Sequence, residues 1–147
     1  MSKKDAEGRS AAGRHALVRK FLKSGERKIR ERRLQDAVDD LLEAAALDPE
    51  HPEVHYYLGI AYARMERYGD AVVHLETLTA SELSYINRVH ARMILGYIYS
   101  IREDFPKALE NFRDIVKAGF NSAQAYAAIG YVMDRMGNFK EAVMNLY

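Results

Sequence analysis

Apolar residues recur at three- and four-residue steps through almost the whole chain. Between Val54 and Met65 they fall at Leu58, Ala61, Tyr62 and Met65, the i, i+3, i+4, i+7 spacing of one helical face. Glu66–Arg67 interrupts the pattern, and a second run from Tyr68 to Ala80 places Val72, Leu75 and Leu78 inward. The two-residue alternation of a half-buried strand is absent. The pattern predicts an all-α chain of at least seven helices. Asp48–Pro49 predicts a helix end, because proline lacks the amide and its ring clashes with the preceding turn. Pro106 falls just inside a helix start, where a missing amide costs nothing.

The same pattern repeats. Gly25, Gly59, Gly96 and Gly130 are spaced 34, 37 and 34 residues apart. Ala37, Ala71, Ala108 and Ala142 keep that register, and so do Leu34, Tyr68, Phe105 and Phe139. Three columns therefore share one period and one three-residue insertion. Each unit reads as two helices. Gly59 and Ala71 lie where those helices cross, since larger side chains would push the axes beyond about 8–10 Å. Tyr62, Tyr68 and Leu75 fill the space beside the crossing.

These residues resemble the tetratricopeptide repeat (TPR) family. Its motif sets a large residue, Leu-Gly, Tyr, Ala, an aromatic, Ala and Pro at fixed offsets. Leu58-Gly59, Tyr62, Tyr68, Ala71 and Leu75 match it. Leu95-Gly96, Tyr99, Phe105, Ala108 and Phe112 match it again. A third match runs through Tyr126, Ile129-Gly130, Gly137, Asn138, Phe139, Ala142 and Leu146. The first unit matches through Phe21, Gly25, Leu34, Ala37, Ala44, Leu47, Asp48 and Pro49. It departs at Ser24 and Lys28, where Leu and Tyr are expected. The resemblance implies a right-handed α-solenoid over residues 14–147, with repeats at about 18–51, 52–85, 89–122 and 123–147. Residues 1–13, rich in small and charged residues, are expected to form a flexible basic tail. The junction from Ser81 to Arg88 carries the insertion and lacks the usual proline, so irregular stacking is expected there. The last repeat reaches Tyr147 partway through its second helix.

Charge changes this picture at one end. The chain has 22 Lys+Arg and 21 Asp+Glu. Residues 1–33 hold 12 basic and four acidic residues, a net of +8, and the remainder nets −7. Such asymmetry concerns partners, not fold. The chain has no cysteine, which excludes disulfides, thiolate metal sites and a cysteine nucleophile. No apolar run is long enough to span a membrane, and the polar N-terminus lacks a secretory h-region. A cytoplasmic protein is expected.

Candidate chemistry is sparse. Of the five histidines, His51 and His55 are four apart. His51 precedes Pro52 in a turn, so the two do not share one regular helix, and a third ligand is missing. No HExxH, phosphate loop, GxSxG or dinucleotide fingerprint occurs. The chain is expected to be non-enzymatic, with no cofactor and no metal.

The resemblance implies that the first helix of each repeat lines a concave groove. Its groove-facing positions are Arg19, Leu22, Glu26, Ile29 and Arg30 in the first repeat, and Glu53, Tyr56, Ile60, Ala63 and Arg64 in the second. In the third they are His90, Met93, Tyr97, Ser100 and Ile101, and in the fourth Gln124, Ala127, Tyr131, Asp134 and Arg135. Aromatic residues and arginines of this kind favour binding hot spots. Some family members clamp a C-terminal carboxylate with paired Lys and Asn. The corresponding places here hold Leu22 and Glu26, Tyr56 and Ile60, or Met93 and Tyr97, so binding of a heat-shock chaperone tail is disfavoured. The first functional reading is a scaffold that binds a protein segment in the groove. The second is self-association, with Arg27, Lys28, Arg32 and Arg33 meeting acidic repeats, or Ala142, Val143 and Leu146 pairing end to end. The third is an acidic or nucleic-acid partner on residues 1–33. Nucleic acid is the poorer candidate, because Phe21 is the one aromatic there and single strands need stacking platforms.

Overall fold

The computed structural model describes residues 10–80, 83–119 and 122–137. All regular structure among them is helical. The chain divides after Glu82 into two compact units.

The first unit contains α1 (Ala11–Arg30), α2 (Leu34–Leu47), α3 (Pro52–Arg64) and α4 (Tyr68–Glu76), followed by a 3-10 turn over Thr77–Ala80. Ser10 caps α1 by accepting the Gly13 amide at 3.0 Å. Helix therefore begins inside the stretch expected to be a flexible tail, because a side-chain cap precedes the two strong helix formers Ala11 and Ala12. One face of α1 buries Val18, Leu22, Gly25 and Ile29, the spacing of a helical stripe. That stripe packs on α2, and α1 also touches α3. Pro52 occupies the first turn of α3. The second helix of this repeat is shorter than the period suggests. α4 gives way to the 3-10 turn at Thr77, whose Oγ1 donates to the His74 carbonyl at 2.6 Å and competes with the helical ladder. Leu78 is buried all the same.

The departures at Ser24 and Lys28 leave α1 unbroken. Ser24 Oγ donates to Asp40 at 2.6 Å, and Lys28 Nζ reaches the same carboxylate oxygen at 2.7 Å. A polar bridge between α1 and α2 is thus anchored from the positions that Leu58 and Tyr62 hold in the second repeat.

The second unit contains α5 (Tyr85–Ile101), α6 (Phe105–Lys117) and α7 (Ala123–Arg135). Ser84, Asp104 and Ser122 cap these helices through their side chains. α6 packs against both α5 and α7. Ala108, Leu109, Phe112 and Ile115 form its inner stripe.

Three of the four matched glycines lie at close helix crossings, and Gly130 meets nothing within 4 Å among the described residues. A Cβ at Gly59 would fall inside the Leu75 side chain, and one at Gly96 inside the Phe112 ring. At Gly25 it would come within 2.6 Å of Leu41 Cγ. The turns that join each helix pair are alike as well. Arg32, Glu66 and Glu103 have φ of 63°, 59° and 61°. The amide of the next residue, Arg33, Arg67 or Asp104, returns to the carbonyl of Lys28, Tyr62 or Tyr99 at 2.8–2.9 Å. This is a Schellman closure, which satisfies carbonyls at the helix end. Gly137, one period after Glu103, has φ of 77°.

Candidate functional site

The groove-facing positions behave differently in the two units. In the first unit, Leu22 and Ile29 on α1 and Tyr56 and Ile60 on α3 are buried. Tyr56 is only 6% exposed and Ile60 7%. These residues were expected to line an open groove. They are core instead, because α1 lies against α3 and covers that side of it. Tyr57, not singled out from the sequence, marks the contact. Burial, the Glu26 charge and a hydrogen bond to Glu26 push its phenol up to about 12. Burial also raises Tyr56, opposed by the Arg64 charge. What reaches solvent here is polar: Arg19, Arg30 and Arg64 are exposed. Arg30 leans on Glu26 at 3.2 Å.

In the second unit the same offsets carry exposed apolar groups. Tyr97 is 42% exposed and Ile101 59%, four residues apart on α5. Met93, one further turn back, is half-buried, and His90 is exposed. On α7, Tyr131 occupies the position of Tyr97 one period later and is 58% exposed. The Tyr97 ring is held from below. It meets Phe112 edge to face, with centroids 5.5 Å apart and planes at 73°. Two χ angles restrained by such a contact leave a rigid aromatic surface with little entropy left to lose on binding. Arg135 closes one end by pairing with Glu103 at 3.3 Å. Tyr126, matched by resemblance to a packing position, is half exposed.

The basic cluster of the first repeat is largely answered within the chain. Arg27 pairs with Glu31 at 3.8 Å, Lys28 with Asp40 at 2.7 Å, and Arg33 with Asp36 at 3.0 Å. Glu31 and Asp36 stand one helical turn from Arg27 and Arg33, and Asp40 reaches Lys28 from α2. Arg32 occupies the left-handed turn position and is exposed. Ala142, Val143 and Leu146 lie outside the described residues.

Sequence reading missed one more group. His55 faces His74, 19 residues on, with their Nδ1 atoms 2.9 Å apart. The pairing considered from the sequence, His51 with His55, does not form a site. Among the described residues no three metal-ligating side chains come together. No helix among them is long and apolar enough to cross a membrane.

Residues 31–66 match the family model described as TPR repeat. No curated protein matches the chain in sequence. Solved structures do match. A crystal structure of MamA superposes with a TM-score of 0.78 at 26% identity, over 86% of this chain and 72% of that one. The first TPR of Spaghetti (RPAP3), bound to the HSP90 peptide SRMEEVD, gives 0.74 at 15% identity, over 83% of this chain and 94% of that one. The C-terminal TPR-containing domain of a Plasmodium falciparum FK506-binding protein gives 0.76 at 12% identity, over 92% and 98%. The last two show likeness of fold alone.

Proposed function

For a chain built of tetratricopeptide repeats, we propose a non-enzymatic scaffold that holds a segment of a protein partner against the first helices of its third and fourth repeats. The observation that supports this reading is the exposure of Tyr97 and Tyr131, whose shared counterpart in the second repeat, Ile60, is buried, with Ile101 exposed one turn from Tyr97. Apolar groups left in solvent beside a well-packed core mark interaction surfaces. Aromatic anchors of this type dominate binding energies.

The chemistry of the surface favours an apolar or aromatic segment. The RPAP3 domain was solved with a peptide of HSP90. Here the positions of the family's Lys and Asn clamp are Met93 and Tyr97 in the third repeat. Neither carries a cation to answer a terminal carboxylate, so a partner of that kind gains nothing from them.

A photo-crosslinking side chain placed at Tyr97 or Tyr131 in the full chain tests the proposal. It should capture the partner, and the captured partner should bind the Tyr97→Ala chain more weakly. A probe at Val73, exposed on the solvent side of α4, should not. Capture from Val73 with none from Tyr97 or Tyr131 would reject this site.

A further inference from the structure

Each of the first three repeats ties its two helices with a polar contact at one shared position. Asp40, His74 and Asn111 follow one another at the repeat spacing. Asp40 accepts from Lys28 and Ser24. Asn111 accepts from Arg92 at 3.2 Å. Arg92 in turn stands one period after His55. The second repeat thus holds two imidazoles where the third holds a guanidinium and an amide.

The geometry of this pair defines its protons. The ring centroids lie 5.1 Å apart and the facing Nδ1 atoms 2.9 Å apart. The two distances differ by about one ring width, so both nitrogens lie near the line of centres. The planes are tilted by only 27°. Each lone pair therefore points at the other nitrogen, and one N–H lies between them. His55 Nε2 is 2.6 Å from the Pro49 carbonyl. A carbonyl only accepts, so His55 carries its proton on Nε2 and accepts at Nδ1. His74 must then donate from Nδ1. A second proton on that line would set N–H against N–H and charge against charge.

We propose that His55 and His74 form a proton-operated clasp in the second repeat, closed while one proton lies between their Nδ1 atoms and opened when each Nδ1 carries its own. The clasp joins three segments: the turn before α3 through Pro49, α3 through His55, and the end of α4 through His74. The groups around it are few. Tyr62 on α3 lies face to face with His74 at 5.7 Å. Arg67 sits 5.0 Å over the Tyr62 ring and pairs with Asp70 at 2.8 Å. Asp39 on α2 acts on Tyr62 at longer range. Glu50 borders, with His55 and Thr77, a cavity of about 380 Å³ on the His55 side of the pair. Of these only Asp70 favours a charged His74. Burial and the neighbouring His55 outweigh it and hold His74 below its ordinary 6.5. A depressed histidine stabilises the fold fully above 6.5, and that contribution is lost as pH falls through the window between 6.5 and its lower folded value. Acid therefore loosens α4 while the clasps of the first and third repeats hold.

Two measurements on the full chain test this. Nitrogen-15 spectra of the imidazoles at pH 8 should show His55 protonated on Nε2 and His74 on Nδ1. Amide exchange in α4, corrected for intrinsic rates, should speed up between pH 7.5 and 5.5, by about tenfold for each pH unit that His74 titrates below 6.5. The double variant His55→Arg, His74→Asn transplants the third repeat's pair and should make that exchange independent of pH. Equal pH dependence in the variant and the parent would overturn the proposal. If the variant does not fold, the ring spectra decide: His74 protonated on Nε2 alone at pH 8 overturns it as well.

Discussion

Gly59 lies so close to Leu75 that a single added carbon would occupy the leucine side chain. The crossing of α3 and α4 is thus set by a missing atom. Gly59→Ala should cost about 1–3 kcal/mol through overpacking. Repeats are stabilised by their neighbours, so the loss should appear in the melting of adjoining helices too. A thermal melt of Gly59→Ala matching the parent would contradict the crossing described here.

The left-handed turn residues give a prediction of opposite sign. Glu66 has φ of 59° in a Schellman closure. A side chain costs roughly 1–2 kcal/mol in that region, and Gly137 holds the equivalent place one repeat beyond Glu103. Glu66→Gly should stabilise the chain by about 0.5–1 kcal/mol, after its greater freedom when unfolded is subtracted. Denaturant midpoints would show it, and an unchanged or lower midpoint would count against the strain.

Asp40 is the hub of the first repeat. Burial raises its carboxyl, but hydrogen bonds from Lys28 and Ser24, with the Lys28 charge, outweigh that and hold it below 3.8. A depressed carboxylate stabilises above its unfolded value and loses that effect as pH falls through the folded one. Asp40→Ala should cost about 1–3 kcal/mol at pH 7. The gap between variant and parent should close below about pH 4. A gap that persists at acid pH would mean the charge is not what Asp40 contributes.

The two kinds of groove tyrosine should separate by assay. Tyr97→Ala and Tyr131→Ala should weaken partner binding by about 2 kcal/mol or more and leave helical content intact. Tyr56→Ala should instead destabilise the first unit by about 3–5 kcal/mol, as a buried aromatic does. Circular dichroism with a binding titration distinguishes them. Loss of binding without loss of stability in Tyr56→Ala would place the site in the first unit.

The repeat period made the helices, their crossings and their turns legible, because each depends on residues within one 34-residue unit. Gly25 with Leu41, Gly59 with Leu75 and Gly96 with Phe112 are contacts of one separation, 16 residues, in each of the first three repeats. The groove was legible as a set of offsets but not as a surface. Ile60 and Tyr97 occupy one column and meet opposite fates, since α1 lies over α3 in the first unit. Nothing in the immediate neighbourhood of either residue announces that. The basic run from Arg27 to Arg33 was read as unanswered because its acids belong partly to the next helix.

By itself, then, the sequence determined an all-α chain of paired helices, the place of each tight crossing, and the absence of recognisable catalytic motifs. Periodicity and side-chain size suffice for these, since they act over a few turns of chain. Only the tertiary structure decided which aromatic residues remain in water and that His55 meets His74 and not His51. Those outcomes depend on which helix face comes to lie against another, and on lone pairs aligned to within a fraction of an ångström. Residue spacing constrains such contacts without specifying them.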